Sequence, residues 1–212
     1  MRDAFHDDLS SITDDLVEMT RMTGAAIERA TRALLDADQH LAESVIAADD
    51  DLDEMRRAVD NLVVDLLARQ QPVATDLRSV ITAMQMASDI ERMGDLARHI
   101  AKVARRRHPE HAIPDELREV ITSMMEAAVH LAKSTGTAIS TRDVNAAMTI
   151  EGADDAMDAL HRRIFGHLLD DTWKHGTEAA VDITLVSRYY ERFGDHAVSV
   201  ANRIIYLVTG RY

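Results

Sequence analysis

Asp89-Ile90-Glu91-Arg92-Met93-Gly94-Asp95 returns 100 positions later as Tyr189-Tyr190-Glu191-Arg192-Phe193-Gly194-Asp195. Glu-Arg-x-Gly-Asp therefore occurs twice in a chain of 212 residues, and a repeat at about half the chain length governs how the whole fold is read. Each copy sets a Glu and an Asp four residues apart, which on a helix is about one turn, so both carboxylates share a face. By the 100° rule Glu91 and Asp95 continue an apolar face made by Leu77, Val80, Ile81, Met84 and Ala87, and are expected to point inward; Glu191 and Asp195 are expected to do the same, on a more polar face of Ala180, Val181 and Thr184. Each copy also holds a glycine inside the helix, at a cost of about 1 kcal/mol relative to alanine. Gly94 and Gly194 thus imply a close approach of another backbone or room for a bulky ligand.

Working outward, the flanks of both motifs read as long helices. Ile90, Met93, Ala97, Ile100 and Ala104 form a second apolar face, and a helix apolar on two sides is central to its bundle. Three-and-four spacing predicts helices over 5–35, 39–69, 75–107, 115–139, 144–173 and 177–208. Pro72 ends the second, because the residue before proline leaves the α region. Lys174-His175-Gly176 is expected to close the fifth with a cation and a C-terminal glycine. Pro109 and Pro114 mark the midpoint, dividing the chain into 1–109 and 110–212. Asp38 and Asp143, 105 apart, open the second helix of each half; the offset falls to 100 at the third, which predicts a shorter join between helices five and six. The fold expected is all-α: two tandem, pseudo-symmetric three-helix bundles.

The second helices carry acids of their own. Asp49-Asp50-Asp51-Leu52-Asp53 matches Asp154-Asp155-Ala156-Met157-Asp158 at the same offset of 105. Asp49 and Asp53, like Asp154 and Asp158, are again one turn apart. Each half could therefore bring two carboxylate pairs together: Asp49, Asp53, Glu91 and Asp95 in the first, Asp154, Asp158, Glu191 and Asp195 in the second. Like charges at this spacing repel by roughly 0.2–0.5 kcal/mol even when exposed, and more in an apolar groove unless a cation or an arginine neutralises them. All-oxygen sites favour magnesium, calcium, manganese or iron over zinc. Arg92 and Arg192 read as salt-bridge partners, and His99 and His196 as ordinary hydrogen-bonded histidines.

Composition narrows the function. Hydrophobic residues make up 46% of the chain and aromatics only 4%, which suits closely packed helices. The formal net charge of −13 repels phosphate backbones and disfavours nucleic-acid binding. Arg105, Arg106 and Arg107 read as compensation of a helix C-terminus. No cysteine is present, excluding thiolate metal sites and cysteine nucleophiles. Charges at Arg2, Asp3, Asp7 and Asp8 interrupt any leader-like apolar run, so a soluble, cytoplasmic protein is expected. No Gly-rich phosphate loop or Ser/His/Asp arrangement emerges, and no Glu stands three residues before a His, unlike the ligand pairs of di-iron bundles. A carboxylate-bridged metal oxidase or hydrolase is the alternative reading, weakened by that absence and by the duplication.

Taken together, the Glu-x-x-x-Asp pairs and the acidic runs of the second helices resemble those of the PhoU family of bacterial phosphate-uptake and phosphate-signalling regulators. The resemblance covers essentially the whole chain, with Asp195-His196-Ala197 a familiar continuation that Asp95-Leu96-Ala97 lacks. It implies multinuclear metal sites at the eight carboxylates named above, with iron, zinc, manganese or magnesium as candidates. It also implies a non-enzymatic regulator that restrains the phosphate-starvation response when phosphate is plentiful. The partners implied are the phosphate ABC transporter ATPase and a sensor histidine kinase, with membrane contact only through them. A homodimer is compatible with the same resemblance.

Overall fold

A computed structural model describes residues 2–211, with side chains described from residue 5 onward. Met1 and the side chains of Arg2 and Asp3, part of the stretch read for a leader, lie outside that range. Among the described residues there are six α-helices and no strand: α1 (Arg2–Asp36), α2 (Gln39–Gln70), α3 (Ala74–Arg107), α4 (Arg118–Thr141), α5 (Val144–Leu168) and α6 (Gly176–Thr209), with a 3₁₀ turn at Asp115–Leu117.

Local chemistry repeats where the sequence repeats. Asp38 and Asp143 are the N-caps of α2 and α5, their carboxylates accepting from the backbone N–H of Leu41 at 2.9 Å and of Asn145 at 2.8 Å. Such a cap satisfies an orphan helical donor, worth about 1 kcal/mol. Immediately before each cap, Ala37 and Arg142 turn the chain at φ 51°.

Four helices close into a ring. α1 packs on α3, α3 on α6, α6 on α4, and α4 back on α1. α2 lies outside against α1 and α3, and α5 outside against α4 and α6. α3 and α6 run antiparallel: Gln85 meets Arg203, Asp89 meets His196, and His99 stacks on Tyr189. The midpoint of those pairings falls at Met93-Gly94 and Phe193-Gly194, so the two motifs cross where the halves are related. Met93 and Phe193 are fully buried there, each burial contributing roughly 1.5–3 kcal/mol. α1 and α4 are also antiparallel and close; a Cβ on Gly136 would come within 2.5 Å of Thr20 Oγ1.

The segment between the halves is fixed to the ring. Ala112 and Ile113 are buried. The Nδ1–H groups of His108 and His111 donate to the carbonyls of Ala37 and Leu35, both at 2.9 Å.

Five expectations need correction. α5 stops at Leu168 instead of 173, because Asp170 accepts from the N–H of Thr172 at 2.8 Å and from its hydroxyl at 2.6 Å, a local turn that competes with the helix. Gly176, at φ 79°, then opens α6 rather than closing α5. The missing residues are consequently taken from α5 itself, 25 residues against 32 in α2, and the α5–α6 join is the longer one. On α3, Leu77 is exposed and Ile81 and Met84 only partly covered; Val80 and Ala87 of the expected face do lie in the core, joined by Ala83, so the buried strip is shifted toward the sides on which α1 and α6 pack. Finally, Arg106 and Arg107 do more than balance a helix end: both ion-pair with the buried Asp182 of α6.

Candidate metal centre

The acids fall at the two seams between the ring and its outer helices. In the first half α2 supplies Asp49 and Asp53, and α3 supplies Glu91 and Asp95. Asp49 and Asp95 are buried, and Glu91 and Asp53 are partly covered. Gly94 is what lets the helices meet: a Cβ there would collide with Leu52 Cδ2 and stand 3.6 Å from Asp49 Oδ1. In the second half a Cβ on Gly194 would overlap Asp154 Oδ1 outright and lie 3.0 Å from its Cγ. Close approach, rather than space for a ligand, explains both glycines.

Charge is handled differently at the two seams. Arg98 stands between Asp49 and Asp95 and ion-pairs with both. Arg92 reaches Asp95 at 2.8 Å and Glu91 at 3.8 Å, and Arg57 lies 3.6 Å from Asp53. In the second half Arg188 holds one oxygen of Glu191, and Arg162 stands 4.0 Å from Asp158. Asp154 and Asp195 have no ion pair among the described residues. Asp195 is exposed, which corrects the inward orientation expected for it: Val198, not an arginine, follows three residues later and nothing draws the carboxylate inward.

Proton affinities follow this difference. Burial pushes the Asp49 carboxyl up, with Arg98 opposing and Asp95, Asp53 and Asp50 adding. For Asp154 burial is joined by Asp158, Asp195, Glu191 and Asp155 with no opposing cation, and the carboxyl is pushed up to about 6. Glu91 and Glu191 are both raised, by burial first and by the neighbouring Asp second. Asp154 Oδ1 and Glu191 Oε2 are buried without a hydrogen-bond partner. As the side chains stand, no group of three or more His, Asp or Glu among the described residues converges on a metal position.

Beside each seam lies a contact that sequence reasoning did not single out. Asp89 accepts from His196 Nδ1–H at 3.1 Å and from Arg203 Nε–H at 2.7 Å, and Arg203 also donates to Gln85 at 2.8 Å. Tyr190, fully buried, reaches from α6 to Thr31 of α1 at 2.5 Å. The role of Arg98 was missed as well, although an arginine three residues after an aspartate on a helix is a readable pairing signal. His196 and His99 are hydrogen-bonded and stacked respectively, as ordinary histidines would be.

Fold and seams together define a duplicated helical protein built around paired carboxylates. The chain belongs to the PhoU domain family, whose model matches residues 16–104 and 121–204. It is 49% identical, over the full length of both chains, to the phosphate-specific transport system accessory protein PhoU homolog 2 of Mycobacterium tuberculosis. The corresponding PhoU homolog of Clostridium acetobutylicum is 34% identical, covering 99% of this chain and 96% of that one. The crystal structure of PhoU from Pseudomonas aeruginosa superposes with a TM-score of 0.85 at 27% identity, covering 98% of this chain and all of the other. No helix among the described residues is long and apolar enough to cross a membrane.

Proposed function

We propose that this protein is a non-enzymatic accessory regulator of phosphate-specific transport. On this reading it restrains the phosphate-starvation response when phosphate is plentiful, acting as a metal-binding adaptor between the transporter ATPase and a sensor histidine kinase. The observation that carries the reading is the end-to-end similarity to a protein named as a transport accessory. The −13 net charge suits a protein partner better than a nucleic acid.

Metal enters through the acids. At the second seam the residues fit a cation: two buried oxygens lack partners, and the cluster lacks the arginine found in the first. Asp154 and Asp158 of α5 with Glu191 and Asp195 of α6 would hold it after side-chain rotation. Mn²⁺, Mg²⁺, iron and zinc are the candidate ions. A bound divalent ion would offset two of the four carboxylate charges and fasten α5 to α6. In the first half Asp49, Asp53, Glu91 and Asp95 are the corresponding candidates.

The regulatory reading is tested by deleting the gene, together with any second copy, and following a phosphate-starvation promoter in high phosphate. Derepression is expected. A promoter that stays silent would remove the regulator reading.

A further inference from the structure

We infer that Arg98 is the built-in counter-ion of the first seam, so that divalent metal is held by the second seam alone. The inference rests on the metal reading above and sharpens it: two repeats of one motif need not make two equivalent sites.

The first seam already has its cation. Asp49 is the most enclosed of the acids, its side chain 5% exposed, and Arg98 ion-pairs with it from α3 while also pairing with Asp95. A guanidinium carries five donors in a fixed fork and stays charged at any accessible pH. It takes up the same carboxylate lone pairs that a metal would need. Arg98 is itself mostly enclosed, at 26% exposure. A divalent ion entering here would have to break two ion pairs and sit beside a positive charge in a place of low dielectric, where like charges repel strongly.

The second seam has lost that cation. The residue equivalent to Arg98 is Val198, 100 positions on. Arg56, a positive neighbour of Glu91, has His161 as its counterpart at an offset of 105; His161 bears on Glu191 in the same sense, but as an imidazole engaged with Ser187 at 2.6 Å rather than a permanently charged guanidinium. Arg192, the counterpart of Arg92, is exposed and makes no ion pair among the described residues. Three arginines serve the first four acids (Arg57, Arg92, Arg98) and two serve the second four (Arg162, Arg188). Asp49 Oδ2 in the first seam also lacks a hydrogen bond, but it is ion-paired with Arg98, whereas the buried, unpartnered Oδ1 of Asp154 has no cation beside it.

The test exchanges the two residues in the full chain. Wild type, Arg98→Val and Val198→Arg are stripped with chelator and titrated with Mn²⁺ alone, counting bound ion by calorimetry and by the EPR signal of free Mn²⁺. Arg98→Val should raise the bound Mn²⁺ to about twice the wild-type number, as for two independent seams. Val198→Arg should weaken Mn²⁺ binding by roughly tenfold or more and raise the melting temperature of the metal-free protein. That last readout needs no metal and holds even if Arg98→Val fails to fold. Wild-type binding that survives Val198→Arg but is lost in Asp49→Asn overturns the inference and leaves the metal reading intact. No Mn²⁺ uptake by any of the three, with no gain in melting temperature for Val198→Arg, overturns both.

Discussion

Asp89 and Arg203 are 114 positions apart and joined by a 2.7 Å hydrogen bond from the guanidinium Nε–H to the carboxylate. The bond crosses from one repeat to the other, and both side chains are largely enclosed, at 14% and 26% exposure. Arg203→Ala should therefore destabilise the protein by about 1–3 kcal/mol, because it leaves an enclosed carboxylate short of a partner. The pH dependence has a definite sign. Burial raises the Asp89 pKa, but hydrogen bonds from His196 and Arg203 more than offset it and hold the carboxyl below its ordinary value. Its stabilising contribution is complete above the unfolded pKa of about 4 and disappears as pH falls through the lower folded value. Denaturant titrations of wild type and Asp89→Asn should differ at neutral pH and converge in acid; a constant gap would remove the ionic explanation.

The two motif glycines should respond differently to alanine. Each substitution gains about 1 kcal/mol of helix propensity. At Gly94 the new methyl strikes Leu52, which is buried in the core, and overpacking there costs about 1–3 kcal/mol. At Gly194 it strikes the carboxylate of Asp154, which is only partly covered and can swing outward. Gly94→Ala should thus lower stability while Gly194→Ala leaves it level or raised, with weaker Mn²⁺ binding in the second variant. Equal losses of melting temperature would contradict the assignment of which atoms each glycine admits.

Thr31 and Tyr190 offer an asymmetric pair. The Thr31 hydroxyl donates to the Ile27 carbonyl at 2.6 Å, so its oxygen is left to accept from Tyr190. Burial raises the tyrosine pKa, only partly opposed by Thr31, and the phenol stays protonated as the donor. Tyr190→Phe removes one hydrogen bond and leaves Thr31 satisfied, a loss of about 1 kcal/mol. Thr31→Val strands a fully buried phenol and should cost more, about 1–3 kcal/mol. Reversal of that order in equilibrium unfolding would show that the hydroxyl of Tyr190 finds another acceptor.

Much of the fold was legible because helical periodicity and capping are local. The Asp38 and Asp143 caps, the α2 stop before Pro72 and the six helices follow from residues adjacent in the chain. The end of α5 was misplaced because Asp170 and Thr172 compete with the helix through side-chain bonds that hydrophobic spacing does not register. The exposed edge of α3 at Leu77 was misjudged because its partner, α6, arrives from the other repeat and covers a neighbouring strip. At the seams, residue types announced the acids and the helical pitch paired them. The difference between Arg98 and Val198 lay in plain view once the copies were aligned, but only geometry shows the guanidinium reaching across to Asp49. The exposure of Asp195 had a single local signal, the missing arginine three residues on, and helical pitch alone does not register it.

The closed ring of α1, α3, α6 and α4, with α2 and α5 fastened outside it, has an evolutionary consequence. A substitution on an outer seam is felt by one repeat only, whereas one at the crossing of Phe193 and Met93 is felt by both. Each outer seam is therefore at liberty to change its balance of charge without disturbing the other repeat. Arg98 facing Val198 across the duplication is what such unequal freedom leaves behind.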